Sequence, residues 1–223
     1  MTTILNASTS SGLVATADNS GIIQLQTNGT NTINVATTGL TTIAYNGANA
    51  GLIPGQQIYV TNSGYVGSNS SSAQSIFGVG VTLSASTQYA FDMAFVLSKT
   101  AGTTSHTLAL GFGGGTATFN NFLCQGLWNS TGSAFLSGNN AGANSLALNV
   151  TTSTVISGAQ TSAALSLYFV INGIVSINAG GTFIPQYTLS AAPGGAYTTY
   201  SGSYMRIYPL AASGSNVSIG TWA

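Results

Sequence analysis

Asp92, Lys99 and His106 fall within one stretch, YAFDMAFVLSKTAGTTSHTLALGF, which runs from Tyr89 to Phe112. A carboxylate, an amine and an imidazole are the parts of a proton relay. The acid orients the imidazole, and the imidazole takes a proton from a nucleophile or returns one to a leaving group. The 223-residue chain holds only two basic residues, two acidic residues and one histidine. Beyond these three they are Asp18 and Arg206. Chemistry that depends on charged side chains would therefore centre on this stretch.

The elements that must position these groups can be read from parity. Tyr89, Phe91, Met93, Phe95 and Leu97 alternate with Ala90, Asp92, Ala94, Val96 and Ser98, the period of a half-buried strand. The odd face is a core face, so Asp92 points away from the core, between two alanines. KTAGTTS reads as a turn with Lys99 solvated at its start, and His106 opens a returning strand in parity with Leu108, Leu110 and Phe112. A hairpin register with Leu97 facing Leu108 leaves Asp92 about 16 Å from Leu97, at ~3.3 Å per residue. Asp92 cannot then orient His106, and His106 reads as a histidine near a turn with ordinary hydrogen-bond partners. A carboxylate on a covered face needs a counter-charge. In YMRIYPL, Arg206 shares a face with Tyr204 and Tyr208, which makes an Asp92–Arg206 ion pair the expectation, within or between subunits.

Composition narrows the function classes. Charged residues are 2% of the chain, against roughly 25% in an average soluble protein. One Lys and one Arg do not supply the cationic surface that nucleic-acid binding requires. The longest apolar stretch, AALSLYFVINGIVSI (Ala163 to Ile177), is shorter than the ~20 residues of a spanning helix and is interrupted by Asn172-Gly173. A transmembrane β-barrel would show aromatic girdles and a polar lumen, and neither pattern repeats. We expect no membrane partner. MTTILNASTSSG has no basic segment followed by a long apolar one, so no signal peptide is read. Cys124, the single cysteine, reads as a small buried hydrophobe beside Phe122 and Leu123. A near-neutral surface tends to associate, which points to an assembled protein.

Along the chain, Gly (29 residues), Ser, Thr and Asn dominate, while the strong helix formers Glu, Lys and Arg are nearly absent. The composition favours strands and turns. Residues 1–67 carry thin strands, with Ile22, Ile23, Leu25, Ile33, Val35, Ile43 and Tyr45 as their apolar positions and Asn28-Gly29, Gly39 and Asn46-Gly47 between them. Each apolar face is too small to stand alone, so this β arm is expected to attach to a partner or to its own copies. SNSSSAQS, 68–75, reads as a linker. Residues 76–223 carry about eight longer strands separated by turn signals, the pattern of an antiparallel, jelly-roll-like β-sandwich. Within them, apolar runs flanking Asn172-Gly173 predict a two-residue hairpin. The fold class is all-β: an extended N-terminal β-ribbon arm followed by the sandwich.

Other catalytic signals fail. Asp18 and Asp92 lie in segments of different character, which argues against a hydrolytic carboxylate pair. Metal sites built from oxygen ligands need several acids together. GFGGGTAT lacks the GK[ST] of a phosphate loop and reads as a turn, and GVG at 78–80 reads as a closely packed strand. Asn6, Asn28 and Asn149 head N-x-[ST] triplets that reflect the Asn, Ser and Thr content. Trp128 and Trp222 read as core or interface anchors. We expect no catalytic residue, cofactor or metal.

The opening TTILNASTSSGLVATADNSGIIQLQTNGTNTINV resembles the N-terminal segments of small virion structural proteins of tailed bacteriophages, including those that infect cyanobacteria. SIFGVGVTLSASTQYAFDMAFVLSKTAGTTSHTLALGFGG resembles the sandwich found with them. The resemblance implies a β-rich, often trimeric protein on the capsid surface or in the tail, with no enzymatic residues. A capsid cement or decoration protein would bind the major capsid protein through 1–67. A tail fibre or adhesin would join the tail through that arm and offer the sandwich to a host glycan. The short length, without a fibrous shaft, favours cement on the outer surface of the virion. A secreted sugar-binding or enzymatic sandwich is the third class, weakened by the missing signal peptide and acid pair.

Overall fold

The computed structural model describes residues 57–130, 143–214 and 216, together with the three short strands β1 (Ile23–Thr27), β2 (Thr30–Val35) and β3 (Thr41–Ile43). The chain divides into two compact units, Met1–Gly47 and Ala48–Ala223.

In the first unit the three strands form an antiparallel sheet in the order β1-β2-β3. Its register aligns the positions that carry the apolar alternation. Ile23 lies opposite Val35, Leu25 opposite Ile33, and Ile33 opposite Ile43. Ile22 and Tyr45 lie outside the described residues, as do Asp18, Asn6, Asn28 and Trp222.

The second unit is all-β. Its strands are β4 (Gln57–Val60), β5 (Tyr65–Val66), β6 (Gln74–Ser75), β7 (Val81–Leu83), β8 (Thr87–Lys99), β9 (Leu108–Gly111), β10 (Phe119–Ser130), β11 (Ala143–Leu148), β12 (Thr154–Val155), β13 (Leu165–Ile177), β14 (Gly181–Phe183), β15 (Gln186–Leu189), β16 (Thr198–Thr199) and β17 (Tyr204–Ala212). Every pairing is antiparallel. The large sheet runs β11-β10-β13-β8. The far side of β8 is shared between β17, along Thr87–Ala94, and β16, at Leu97 and Ser98. Strands β4 and β5 then flank β17 and β16. A second sheet, β12-β9-β15-β6, and the β7/β14 pair supply the opposing apolar side chains.

The core follows the alternation of β8. Tyr89, Phe91, Met93, Phe95 and Leu97 are all buried. Phe91 meets Phe112, Phe122 and Phe183 with ring centroids 5.7–6.0 Å apart, and Phe95 stacks on Phe169 at 4.5 Å. Offset and edge contacts of this kind add about 0.5–1.5 kcal/mol each beyond the area they bury. Trp128 is buried and stacked on Phe169, as a core anchor should be.

Four expectations are corrected. The arm does not extend to residue 67. β4 and β5 hydrogen-bond to β17 and β16 of the large sheet, and the first unit ends at Gly47. The segment 68–75 is no linker, because Gln74 pairs with Tyr187 and its buried side chain accepts from the Tyr187 hydroxyl at 3.0 Å. Asn172-Gly173 makes no turn, and β13 runs unbroken through it. A Cβ on Gly173 would stand 2.6 Å from the Leu123 carbonyl oxygen and from the Phe91 ring, and 2.7 Å from the Cys124 Cβ. This glycine serves close approach between β8, β13 and β10 rather than a positive φ. Val79 and Gly80 lie outside any strand, and Gly78, at φ 73°, sits in a bend against the Tyr65 ring.

Candidate functional site

The structure separates the three groups of the 89–112 stretch. There is no hairpin between β8 and β9. β8 belongs to the large sheet and β9 to the second one, so the chain crosses the core between Lys99 and Leu108. Lys99 continues the odd parity of β8 and is directed into the core. It is 3% exposed, not solvated. Its ammonium donates to the carbonyls of Gly102 at 2.6 Å, Ser162 at 2.5 Å and Ala101 at 3.3 Å. The three donors of the amine thus tie the crossing loop to the segment that leads into β13, and burial lowers its pKa from the ordinary value.

His106 is 1% exposed and bridges to Gln160 through the backbone. Nδ1 lies 2.7 Å from the Thr104 carbonyl oxygen and Nε2 lies 2.8 Å from the Tyr197 hydroxyl. A carbonyl only accepts, so Nδ1 carries a proton, and in the neutral ring Nε2 receives the Tyr197 O–H. Both rings are buried, so this hydrogen-bonded pair is closed off from solvent. Tyr197 packs edge-on to Tyr187, and burial raises the pKa of both phenols. The histidine belongs to a buried polar cluster that joins the two sheets.

Asp92 and Arg206 stand directly opposite each other on β8 and β17, and Arg206 Nε donates to Asp92 Oδ1 at 2.7 Å. The pair is formed within one chain on the outer face of the large sheet, with the arginine side chain 43% and the aspartate 25% exposed. The hydrogen bond and charge of Asp92 raise the Arg206 pKa. Seven residues at ~3.3 Å place Asp92 about 23 Å along the strand from Lys99, and on the opposite face. Cys124 is fully buried in the core, and burial pushes its thiol up to about 11. Among the described residues, no three His, Cys, Asp or Glu side chains gather as a metal site. Among the described residues, no helix is long and apolar enough to cross a membrane.

What the sequence reading missed is the outer face itself. Cross-strand register arranges it in rows. Leu123, Ile174, Ala90 and Tyr208 form one row. Gln125, Asn172, Asp92 and Arg206 form the next, and Leu127, Val170, Ala94 and Tyr204 the third. Leu123, Leu127, Tyr168, Val170 and Ile174 are all large apolar side chains exposed to solvent. A predicted hairpin at Asn172-Gly173 conceals this surface, because it would fold Val170 and Ile174 onto different strands. The available signal was the odd parity of Leu165, Leu167, Phe169, Ile171, Val175 and Ile177, which continues across the Asn-Gly pair.

Known proteins add nothing to this geometry. Comparison with models of protein families, with curated proteins and with solved structures finds no match.

Proposed function

We propose that this chain is a non-enzymatic structural protein of a tailed-phage virion, acting as a capsid cement or decoration protein that binds the shell from outside. The observation that carries the reading is how the fold uses its few ionisable groups. Lys99 holds three carbonyls, His106 is locked between Thr104 and Tyr197, and Asp92 holds Arg206. What the protein offers to the outside is a broad, weakly charged β-surface, a feature suited to burial against protein neighbours. The N-terminal sheet would contribute attachment to the major capsid protein, and assembly as a homo-oligomer fits the scarcity of repelling charge.

Tail attachment with glycan binding is the second reading. It draws on Tyr168 and Tyr200, exposed rings of the kind on which a sugar face can stack. Quantifying the protein in purified virions separates the two. Copies comparable in number to the major shell protein are expected of a cement. A few copies per particle would favour the tail, and absence from the particle would overturn both.

A further inference from the structure

We propose that the outer face of the large sheet binds the same face of a second copy of this chain, about a two-fold axis parallel to the strands and running between β13 and β8. The relief of the face argues for it. β13 presents a ridge, with Val170 55% and Ile174 41% exposed. Level with it, from Ala90 to Ala94, β8 presents only Ala90, Asp92 and Ala94, which makes a trench. Two hollows lie along that trench, about 470 Å³ beside Ala90 and Asp92 and about 260 Å³ beside Ala94 and Val96. In the register, Val170 is level with Ala94 and Ile174 with Ala90.

A two-fold along the strands keeps each row on itself and reverses the strand order. The partner's Val170 then enters the hollow at Ala94, and the partner's Ile174 the hollow at Ala90. Tyr204 and Tyr208 meet the partner's Leu127 and Leu123. Large side chains thus face small ones where the strands are closest, and tyrosines face leucines at the flanks.

Charge selects the same axis. In the middle row Asp92 faces the partner's Asn172, and Arg206 faces the partner's Gln125. Neither amide side chain has a hydrogen-bond partner among the described residues, so each is free to turn its oxygen or its NH₂ to the group it meets. A two-fold at this row lying across the strands would instead set Asp92 against the partner's Asp92, a like-charge contact. The size is adequate. The axis pairs β13 with β8, β10 with β17 and β11 with β4. Four strands over about eight residues and two over about four, at ~4.8 Å and ~3.3 Å, give roughly 600 Å² in projection, and side-chain relief brings this close to the ~800 Å² per partner of a standard interface. Sheets packed face to face with strands roughly aligned are a stable arrangement.

The inference does not rest on the virion reading: particle copy number tests that one, and the mass in solution tests this one. The full chain is measured by analytical ultracentrifugation over a concentration series, beside Val170→Glu and Ala94→Trp. The first places a charge on the ridge and the second fills the trench. Both positions face outward, and the melting temperature of each variant reports that it folds; if one fails to fold, the other decides. The expected result is a wild-type chain that associates in even numbers, with each folded variant halving the assembled mass at equal concentration. A wild type that stays at the 22.3 kDa of one chain, or a folded variant that keeps the wild-type mass, overturns the proposal.

Discussion

Lys99 is the residue whose neighbours matter most to it. Parity along β8 carries its side chain inward, and only the three carbonyls of Ala101, Gly102 and Ser162 make that tolerable. Methionine at this position matches the length and removes every donor. Lys99→Met is expected to destabilise the fold by about 2–3 kcal/mol, the cost of losing hydrogen bonds from a charged donor to partly buried carbonyls. That is a fall of ~4–12 °C in melting temperature for a domain of this size, and a variant that melts with the wild type would show the carbonyls to be hydrated instead. Cys124, Tyr187 and Tyr197 give a pH dependence. Burial raises all three above their ordinary 9.0, 10.0 and 10.0. Above pH 9 the unfolded chain releases protons that the folded chain retains, so stability falls as pH rises. Lys99, with its lowered pKa, works in the opposite direction below 10.5, one group against three. Thermal melts between pH 8 and 11 should therefore show a decline that steepens above 10; a flat profile would mean that these groups reach solvent.

At the scale of the element, β13 is where local sequence and tertiary structure disagree. Asn-Gly between apolar runs is a strong local hairpin signal because both residues tolerate positive φ. The strand continues because each of its odd residues finds a place between β8 and β10, and because Gly173 leaves room for Phe91 and Cys124. This makes a discriminating substitution available. Asparagine suits a type I′ turn almost as well as glycine, so Gly173→Asn would be mild in a hairpin. In the continuous strand it places a Cβ against a carbonyl and a ring. A loss of about 1–3 kcal/mol is expected from overpacking, read as a lower denaturant midpoint at unchanged slope. The β8–β9 connection teaches the same lesson. Leu97 and Leu108 are both fully buried, as hairpin partners would be, yet they serve different sheets.

For the whole molecule, the division lies after Gly47 rather than at the polar stretch 68–75. β4 and β5 contribute strands to the large sheet, and Gln74 closes a buried hydrogen bond with Tyr187. A chain that starts at residue 48 is expected to retain the cooperative melting transition of the second unit. One that starts at residue 76 should lose it, because β17 and β16 would be left with unpaired edges and Tyr187 without its acceptor. Circular dichroism melts of the two truncated chains check this, and equal transitions would restore the earlier boundary.

By itself the sequence determined the all-β class, the thin N-terminal strands, the core face of β8 and the outward direction of Asp92. Each depends on period-two alternation, which is local and survives without knowledge of any neighbour. It even paired Asp92 with Arg206, because one outward acid had one outward arginine to meet. Tertiary structure alone decided that Asn172-Gly173 stays extended, that Lys99 turns inward, that β8 and β9 part company, and that Val170 and Ile174 form a ridge beside the alanines of β8. Those outcomes depend on which strands lie side by side. That choice is made by the summed burial of Phe91, Phe95, Phe169 and Phe183 across the core, not by any short run of residues.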